Sequence, residues 1–191
     1  MVDVDLIIGG VRYDCQPTES DWVFPIGDTD YPPWKWYCAV DHDLTGRTNA
    51  NGYKHSGIDI NLDVYPWGDI ERSLDMSIRA IADGVVTYST RAWSGVPMLV
   101  IRHRHGNEFL WTRYAHLSPA LPMTGLFVKA GLWLGGFADW PKKGDHLHLD
   151  MALDPFTREW LDPNIRWVHP VPILKEHLDP EMVDAMLRKG D

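Results

Sequence analysis

The alternation of apolar and polar residues along the middle of the chain predicts a succession of short β-strands. Successive side chains of a strand point to opposite faces, so a half-buried strand alternates with a period of two. Gly106 and Asn107 separate two such runs and predict a hairpin. The runs are Ile78–Ile81, Gly84–Ser89, Pro97–His103, Glu108–Ala115, Leu126–Lys129, Leu132–Phe137 and His146–Met151. The pattern predicts a mostly β domain built on an antiparallel sheet.

Two segments depart from this succession of strands. Leu62–Asp75 predicts a long loop with Trp67 near its tip, and long loops in compact domains often border binding sites. Asp179–Lys189 predicts a short C-terminal helix, because Asp179 suits the cap and Pro180 suits the first helical position. The fold class is therefore an antiparallel β-sheet core with long loops and one short helix at the end.

The length of 191 residues fits a single domain that buries its core without disulfide bonds. We expect residues 51–156 to form the core, residues 1–50 to pack on it as an N-terminal extension, and residues 157–191 to form a C-terminal extension. Cys15 and Cys38 are not part of a Cys-x-x-Cys motif, so they do not indicate a cysteine metal site. Two buried thiols are favoured over a disulfide bond.

The net charge of -9 argues against nucleic acid as a partner, because phosphate binding needs clustered Lys and Arg. The N-terminus lacks the basic start and the apolar stretch of a secretory signal, and the chain has no run of about eighteen apolar residues that would span a membrane. We expect a protein that is cytoplasmic, exported without a conventional signal, or released by lysis. The sequence does not indicate an oligomeric state.

The strand His146–Met151 carries the first candidate site. His146, His148 and Asp150 share one face of this strand, whereas the intervening leucines share the other. The leucine face belongs in the core, so the histidines face a cleft or solvent. Two imidazoles at this spacing suit two ligands of one metal ion, or one ligand and a neighbour.

The same spacing occurs at His103 and His105, next to the predicted turn at Gly106 and Asn107. We interpret this second pair as the solvated tip of a hairpin rather than a site. A His-x-His pair is therefore weak evidence unless other ligands accompany it.

Further candidates lie on other strands. His55 and Asp59 share a strand face, with Gly57 between them, which leaves room for an ion or for a neighbouring backbone. His116 ends a strand on which Tyr114 is expected to share its face. Zinc binds imidazole nitrogen and carboxylate oxygen, and a catalytic zinc takes three protein ligands and leaves one position for water.

The whole set resembles the lysostaphin-type zinc endopeptidases of bacterial cell walls. The resemblance covers residues 52–152, with the motifs in the order that the family has. It implies the duplicated-hybrid-motif β fold of that family and hydrolysis of peptidoglycan amide bonds, in stem peptides or cross-links, by a metal-activated water. The matching segments are His55–Asp59, Ala80–Val86, Tyr114–Ser118, Val128–Gly135 and Gly144–Asp150.

The resemblance also implies a role for each matching residue. His55, Asp59 and His148 correspond to the ligands of one Zn²⁺ ion. His116 and His146 correspond to the catalytic histidines, of which one takes the proton of the water and the other stabilises the oxyanion or protonates the leaving amine. The residues leave open which histidine has which task.

Three features depart from the family's pattern. Asp150 stands where Glu is usual, Leu62–Asp75 is an insertion, and Phe137–Lys143 replaces a loop of small residues. The last two change the walls of the expected groove. Trp67 and Trp140 border that groove, and they are predicted to contact substrate together with Tyr114.

Two alternative functions remain open. Relatives of this family keep the fold, lose metal ligands and act as non-catalytic activators or scaffolds. A zinc peptidase that acts on proteins or small peptides would show the same residues. Five filled site positions favour the enzyme over the non-catalytic module.

Overall fold

The computed structural model describes residues 6–8, 11–13, 21–27, 36–40, 55–62, 77–93, 96–118, 122–138, 145–159 and 162–187. The helices are α1 (Pro170–His177) and α2 (Pro180–Leu187). The strands in chain order are β1 (Leu6–Ile8), β2 (Val11–Tyr13), β3 (Trp36–Val40), β4 (Gly57–Leu62), β5 (Ile78–Arg79), β6 (Gly84–Trp93), β7 (Val96–His105), β8 (Glu108–Ala115), β9 (Phe127–Val128), β10 (Trp133–Gly135), β11 (His146–Ala152) and β12 (Trp167–Val168).

Most of these strands form one antiparallel sheet. Its order is β3-β4-β11-β8-β7-β6-β9, and β12 pairs with the end of β11. The predicted antiparallel β fold is therefore confirmed. Strand β11 comes late in the chain but lies between β4 and β8, where His148 stands opposite Asp59 on one side and Ala115 on the other. This crossover brings distant sequence motifs together.

The hairpin of β7 and β8 is the longest uninterrupted pairing within the sheet. Its register places His105 opposite Glu108, with Gly106 at the turn. Gly106 adopts a φ of 54°, a left-handed conformation that glycine tolerates without strain. The hairpin predicted at Gly106 and Asn107 is confirmed, because this turn needs a residue that accepts a positive φ.

The two faces of the sheet bury different groups. On one face Ile58, Leu149 and Tyr114 are fully buried in the main hydrophobic core, which α1 and α2 also join through Leu174 and Met186. The opposite face carries a smaller cluster of buried residues, namely Met98, Val100, Ala115, Ala152 and Phe156. Since His148 and Asp150 alternate with the core leucines of β11, they lie on this second face.

The strand runs read from the sequence agree with the structure to within a few residues. Glu108–Ala115 is β8, and the run Pro97–His103 extends to Val96–His105 because polar residues near the turn still pair across the hairpin. The run Leu132–Phe137 shortens to Trp133–Gly135. His55 precedes β4 instead of starting it, since the continuous strand begins at Gly57.

The C-terminal region contains one helix that the sequence predicted and one that it did not. For α2, Asp179 caps the first turn through its Oδ1, which accepts the backbone N–H of Glu181 at 3.0 Å. Helix α1 was missed because Pro170 and Pro172 suggest a break, yet proline fits the first turn, where backbone N–H groups have no helical partner. His169 caps α1 instead.

Several predictions fall on residues that the structure does not describe. These are Cys15, Trp67, Trp140 and most of the Leu62–Asp75 loop, of which Leu62 ends β4. Cys38 on β3 is buried in the main core. In the described ranges no helix is both long and apolar enough to cross a membrane. The division into a core and two extensions stays a prediction.

Candidate metal centre

Strands β4 and β11 bring three potential ligand atoms together. Oδ1 of Asp59 lies 2.9 Å from Nδ1 of His148 and 3.1 Å from Nε2 of His55, and the two histidine nitrogens are 3.1 Å apart. Asp59 and His148 are register partners across the two strands, and His55 reaches them from the residues just before β4. The predicted set thus converges on one point, as a group able to hold a metal ion.

The spacing and the chemistry of this group fit zinc. Three atoms that share one tetrahedral zinc at about 2.0–2.2 Å lie about 3.3–3.6 Å from each other, close to the separations seen here. Two imidazole nitrogens and one carboxylate oxygen are a common catalytic donor set, which leaves a fourth position for water. His55, Asp59 and His148 would therefore hold the ion.

A carboxylate behind His148 fixes the orientation of its ring. Nε2 of His148 lies 3.1 Å from Oδ2 of Asp150, so this nitrogen donates and Nδ1 presents its lone pair to the site. Histidine ligands of metals generally donate their second nitrogen in this way, which sets the tautomer. Asp150 is therefore part of the centre although it does not reach the ligand atoms.

Asp150 is itself held by two donors on the same face of the sheet. The Arg113 guanidinium pairs with Oδ2 of Asp150 in a fully buried contact, and the Ser56 hydroxyl donates to the same oxygen at 2.7 Å. Arg113 also donates to the backbone oxygen of Glu159 at 2.7 Å and stacks over the ring of Phe156. This chain of contacts anchors the metal centre to the segment that follows β11.

Sequence reasoning missed Arg113 and Ser56, although Ser56 lies inside the motif His55–Asp59 and Arg113 directly precedes the motif Tyr114–Ser118. The signal was the strand register: Arg113 stands directly opposite Asp150, which alternates with His148. A buried arginine on a strand requires a carboxylate partner, since an unpaired buried charge costs several kcal/mol, on the order of 3–5. Pairing of β8 with β11 was needed to name that partner.

The electrostatics of the site favour a positive charge between two carboxylates. Burial raises the pKa of Asp59, but hydrogen bonds to His148 and His55 outweigh it and hold this pKa well below its usual value. Burial likewise raises the pKa of Asp150, but Arg113 and His148 lower it by more than burial raises it. This pKa therefore also lies below its usual value. Both carboxylates therefore stay ionised across the physiological range.

His148 responds to these two charges. Burial lowers its pKa, but hydrogen bonds to Asp150 and Asp59 raise it to about 9. The ring therefore carries a proton at neutral pH when no cation competes for it. Metal binding at Nδ1 must release that proton, as it does at other histidine ligands.

Two further imidazoles line the centre. The rings of His116 and His146 lie 4.5 Å apart, and the ring of His116 is 6.2 Å from that of His148. Nε2 of His146 lies 3.8 Å from Oδ2 of Asp59, whereas His55 and His148 contact Oδ1 of this carboxylate. All five predicted residues are therefore brought together, three with converging ligand atoms and two beside them.

The position of His116 depends on an unusual backbone conformation. Regular alternation would place it on the same face as Tyr114, which points into the main core. His116 instead has a φ of 65°, whereas the other described residues with positive φ are glycines. This left-handed turn at the end of β8 moves the imidazole to the face of His146. Such conformations cost about 1–3 kcal/mol and concentrate at functional sites.

The sequence left open whether the missing side chain of Gly57 makes room for an ion or for a neighbouring backbone. A Cβ built on Gly57 would lie 2.2 Å from the backbone oxygen of Leu149, far inside contact distance. The absent side chain therefore admits the backbone of β11. Close approach of the strands at this point sets the separation between Asp59 and His148.

The structure does not place Tyr114 where a substrate contact would be. Tyr114 is fully buried in the main core, and its hydroxyl accepts the backbone N–H of Ile81 at 2.9 Å. Its face differs from that of His116 because of the turn described above. Trp67 and Trp140 lie outside the described residues, so their role stays a prediction.

The interpretation of His103 as solvated is wrong. Its side chain is fully buried on the core face of β7, with Nδ1 donating to the backbone oxygen of Asp83 at 3.0 Å and Nε2 accepting the Thr112 hydroxyl at 2.7 Å. Burial lowers its pKa to about 4. His103 is therefore a neutral core residue whose two nitrogens are both satisfied by neighbours.

The comparison with known families decides the identity of the chain. A model of Peptidase family M23 matches residues 53–163, which exceeds half of the 191 residues and includes all five residues of the centre. The chain belongs to peptidase family M23. The peptidases of this family are zinc-dependent, in agreement with the donor set at His55, Asp59 and His148. No curated protein matched the sequence of this M23 member.

Solved structures show the same fold around this M23 core. A protein of the SpoIIQ–SpoIIIAH pore forming complex is 15% identical, with 85% of this chain and 94% of that chain covered and a TM-score of 0.56. The antimicrobial peptidase lysostaphin from Staphylococcus simulans is 20% identical, with 74% and 49% covered and a TM-score of 0.50. At these identities the likeness establishes the lysostaphin-type fold.

A third structure is the catalytic domain, in a mutant form, of the prophage-encoded M23 protein EnpA from Enterococcus faecalis. It is 25% identical, with 71% of this chain and 88% of that chain covered and a TM-score of 0.45.

Proposed function

We propose that the protein is a zinc-dependent endopeptidase that hydrolyses amide bonds in the stem peptides or cross-links of peptidoglycan. The observation that carries this proposal is the convergence of His55, Asp59 and His148, whose ligand atoms lie 2.9–3.1 Å apart on a face that also holds two imidazoles. Membership in peptidase family M23 supports the chemistry. The motif resemblance to cell-wall endopeptidases supports the substrate.

The ligand residues set up the centre before any substrate arrives. When bound, zinc would lower the pKa of its water toward about 7 and polarise the scissile carbonyl. Asp150 keeps Nε2 of His148 protonated, so that Nδ1 stays directed at the ion. Arg113 and Ser56 hold Asp150 in turn, which limits rotation of the His148 ring.

His116 and His146 supply the proton transfers. Their rings are 4.5 Å apart and lie beside the ligand group, so both reach a water or carbonyl oxygen bound there. One imidazole takes the proton of the water, and the other donates to the oxyanion or to the leaving amine. The closeness of His146 to Asp59, 3.8 Å between Nε2 and Oδ2, supports a role for Asp59 in orienting this ring.

The decisive experiment is mass analysis of purified peptidoglycan sacculi of different cross-link types after incubation with the protein. New amine ends are expected with the wild type, and about 10²–10⁴-fold less product with His116→Ala, because one proton-transfer group is lost. His169→Ser is the matched control, since it removes a histidine outside the centre and leaves a residue able to cap α1. Cleavage that His116→Ala leaves intact would contradict the proposal.

A peptidase of proteins or small peptides is separated in the same assay. Casein and short synthetic peptides are added as parallel substrates. Cleavage of casein, without new amine ends in any sacculus, would keep the zinc chemistry and overturn the wall substrate.

A non-catalytic interaction module is the second candidate, because the same fold occurs in the SpoIIQ–SpoIIIAH complex. Zinc content of the purified protein separates the two candidates. For the enzyme, Asp59→Ala is expected to bind one equivalent of zinc less than the wild type. A zinc content that Asp59→Ala leaves unchanged would favour the interaction module.

A further inference from the structure

A second group of potential ligands lies on the other side of the sheet. His105 at the end of β7 meets Glu176 and His177 in the last turn of α1, and their ligand atoms all lie within 4.8 Å of one another. Nδ1 of His105 is 3.1 Å from Nε2 of His177, although the two residues are 72 positions apart in sequence. His105 shares its strand face with His103, in the core, whereas the first centre occupies the opposite face.

Aromatic packing holds the two imidazoles in place. The indole of Trp22 stacks on His177, with ring centroids 4.1 Å apart and planes 5° apart, and meets His105 edge-on at 6.4 Å. Trp22 is itself buried, and the next residue, Val23, donates its N–H to the backbone oxygen of Ile81 at 2.8 Å. The group is therefore preorganised by three separate parts of the chain, which lowers the entropy that a ligand would have to remove.

The local charge favours a cation. The carboxyl end of a helix carries partial negative charge, and Glu176 adds a full one in the last turn of α1. The nearest positive side chain on the helix, Lys175, is engaged by Asp184 in an ion pair. Arg104 on the hairpin is likewise engaged elsewhere, because its Nε–H donates to the backbone oxygen of Gly106 at 2.7 Å.

We propose that His105, Glu176 and His177 form a second binding site, for a divalent transition-metal cation such as Zn²⁺. Two imidazoles and one carboxylate suit these ions, whereas Mg²⁺ and Ca²⁺ prefer oxygen ligands. Because the ligands belong to the β7–β8 hairpin and to α1, the cation clamps the C-terminal helix onto the sheet. Its role is structural, since none of the residues of the first centre lies on this face.

The test follows individual histidine rings by nuclear magnetic resonance while Zn²⁺ is added to the full chain carrying Asp59→Ala. This change weakens the first centre and leaves the second one intact. Shifts of the ring nitrogens of His105 and His177 at the same zinc concentration are expected. Glu176→Gln is expected to weaken that binding at least about tenfold, and because Glu176 is exposed, the variant keeps its fold.

Glu181→Gln on α2 is the matched control, since it removes an exposed carboxylate outside the group. It is expected to leave the zinc response of His105 and His177 unchanged. A second measurement is thermal unfolding: Zn²⁺ is expected to raise the midpoint of Asp59→Ala, and His177→Ala is expected to abolish that rise. Ring signals of His105 and His177 that stay constant while the protein otherwise saturates with zinc would overturn the proposal.

Discussion

His103–His105 and His146–His148 have the same spacing on neighbouring parts of one sheet, yet they differ in chemistry. The ring of His103 enters the core, where a backbone carbonyl and a hydroxyl satisfy both nitrogens. The ring of His148 enters a polar face, where Asp59 and Asp150 contact one nitrogen each. Spacing therefore identifies a pair that shares a face, and the partners across the sheet decide what that face does.

For this reason the pKa values of the two buried imidazoles, those of His103 and His148, are shifted in opposite directions. Burial lowers the pKa of His103 to about 4, because the backbone carbonyls of Asp83 and Ala82 and the charge of Asp83 raise it by less than burial lowers it. Burial acts on His148 too, but two carboxylates reverse it and raise the pKa to about 9. Burial alone thus predicts neither the charge nor the role of a histidine. The predictions below test this contrast, from the largest effect to the smallest.

The largest effect is expected from His148→Ala compared with His103→Gln. Loss of His148 removes a ligand and one of the partners of Asp150, so we expect loss of the zinc held with His55 and Asp59 and at least about 10³-fold lower turnover. His103→Gln is expected to keep full turnover per folded molecule, although it lowers stability. Zinc analysis and peptidoglycan hydrolysis measure both variants. Equal losses of activity in the two would show that the pairs do not differ in function.

The next effect concerns Asp150, one of the two carboxylates that raise the pKa of His148. Asp150→Asn leaves Arg113 buried without a counter-charge, which is expected to cost about 3–5 kcal/mol of unfolding free energy. Zinc affinity is expected to fall about 10–100-fold, because the ring of His148 loses its charged carboxylate acceptor. Denaturant unfolding and competition with a zinc chelator measure the two quantities.

Asp154→Asn is the matched control for that variant. Asp154 also pairs with an arginine, Arg166, but at the surface, where water screens the charges. Little change in stability or zinc affinity is expected. A loss as large as that of Asp150→Asn would contradict the importance assigned to burial.

A pH effect of intermediate size is expected at His103. Its pKa is about 4 in the folded protein and 6.5 in an unfolded chain, so the unfolded state binds more protons between these values. Stability is therefore lost as pH falls from 6.5 to about 4, by about 3 kcal/mol. Unfolding midpoints with a chelator present should show a larger loss in the wild type than in His103→Gln, in which carboxylates with a lowered pKa, such as Asp59 and Asp150, still lose stability near pH 4. Identical slopes would mean that another group causes the loss.

The smallest expected effect concerns the backbone conformation that places His116 beside His146 and His148. Its φ of 65° is costly for any residue with a Cβ, so His116→Gly is expected to be more stable than His116→Ala by about 1 kcal/mol. Both lack the imidazole, so both are expected to lose about 10²–10⁴-fold in activity. Chemical unfolding of the two variants checks the difference. A less stable glycine variant would argue against backbone strain at this position.

Much of the fold was predictable because its strands carry clear alternation. The leucines of β11 and the isoleucines of β4 face the core as their period required. Helix α1 was not predictable from the same signals, since prolines at its start resemble a break until the cap at His169 is seen. The sheet order was also beyond the sequence, because pairing of β11 with both β4 and β8 is a long-range choice.

The candidate site was predictable only in its residue types. Its five polar positions came from motif resemblance, and the structure brings all five together. The support behind them was not visible, because Arg113 reaches Asp150 only when β8 and β11 pair. Local pattern placed Tyr114 with His116, and the positive φ of His116 separates them. The backbone conformation of a single residue cannot be read from the pattern of apolar and polar positions along the chain.

The position of β11 between β4 and β8 determines when, during synthesis and folding, the ligand set is complete. Asp59 and His148 are 89 residues apart, and the loop between them must close before a third ligand joins the first two. Loop closure over such a distance is among the slower steps of folding. A growing chain that has passed β8 still holds an incomplete ligand set. The three ligands can therefore converge only after β11 has been made and has docked between β4 and β8.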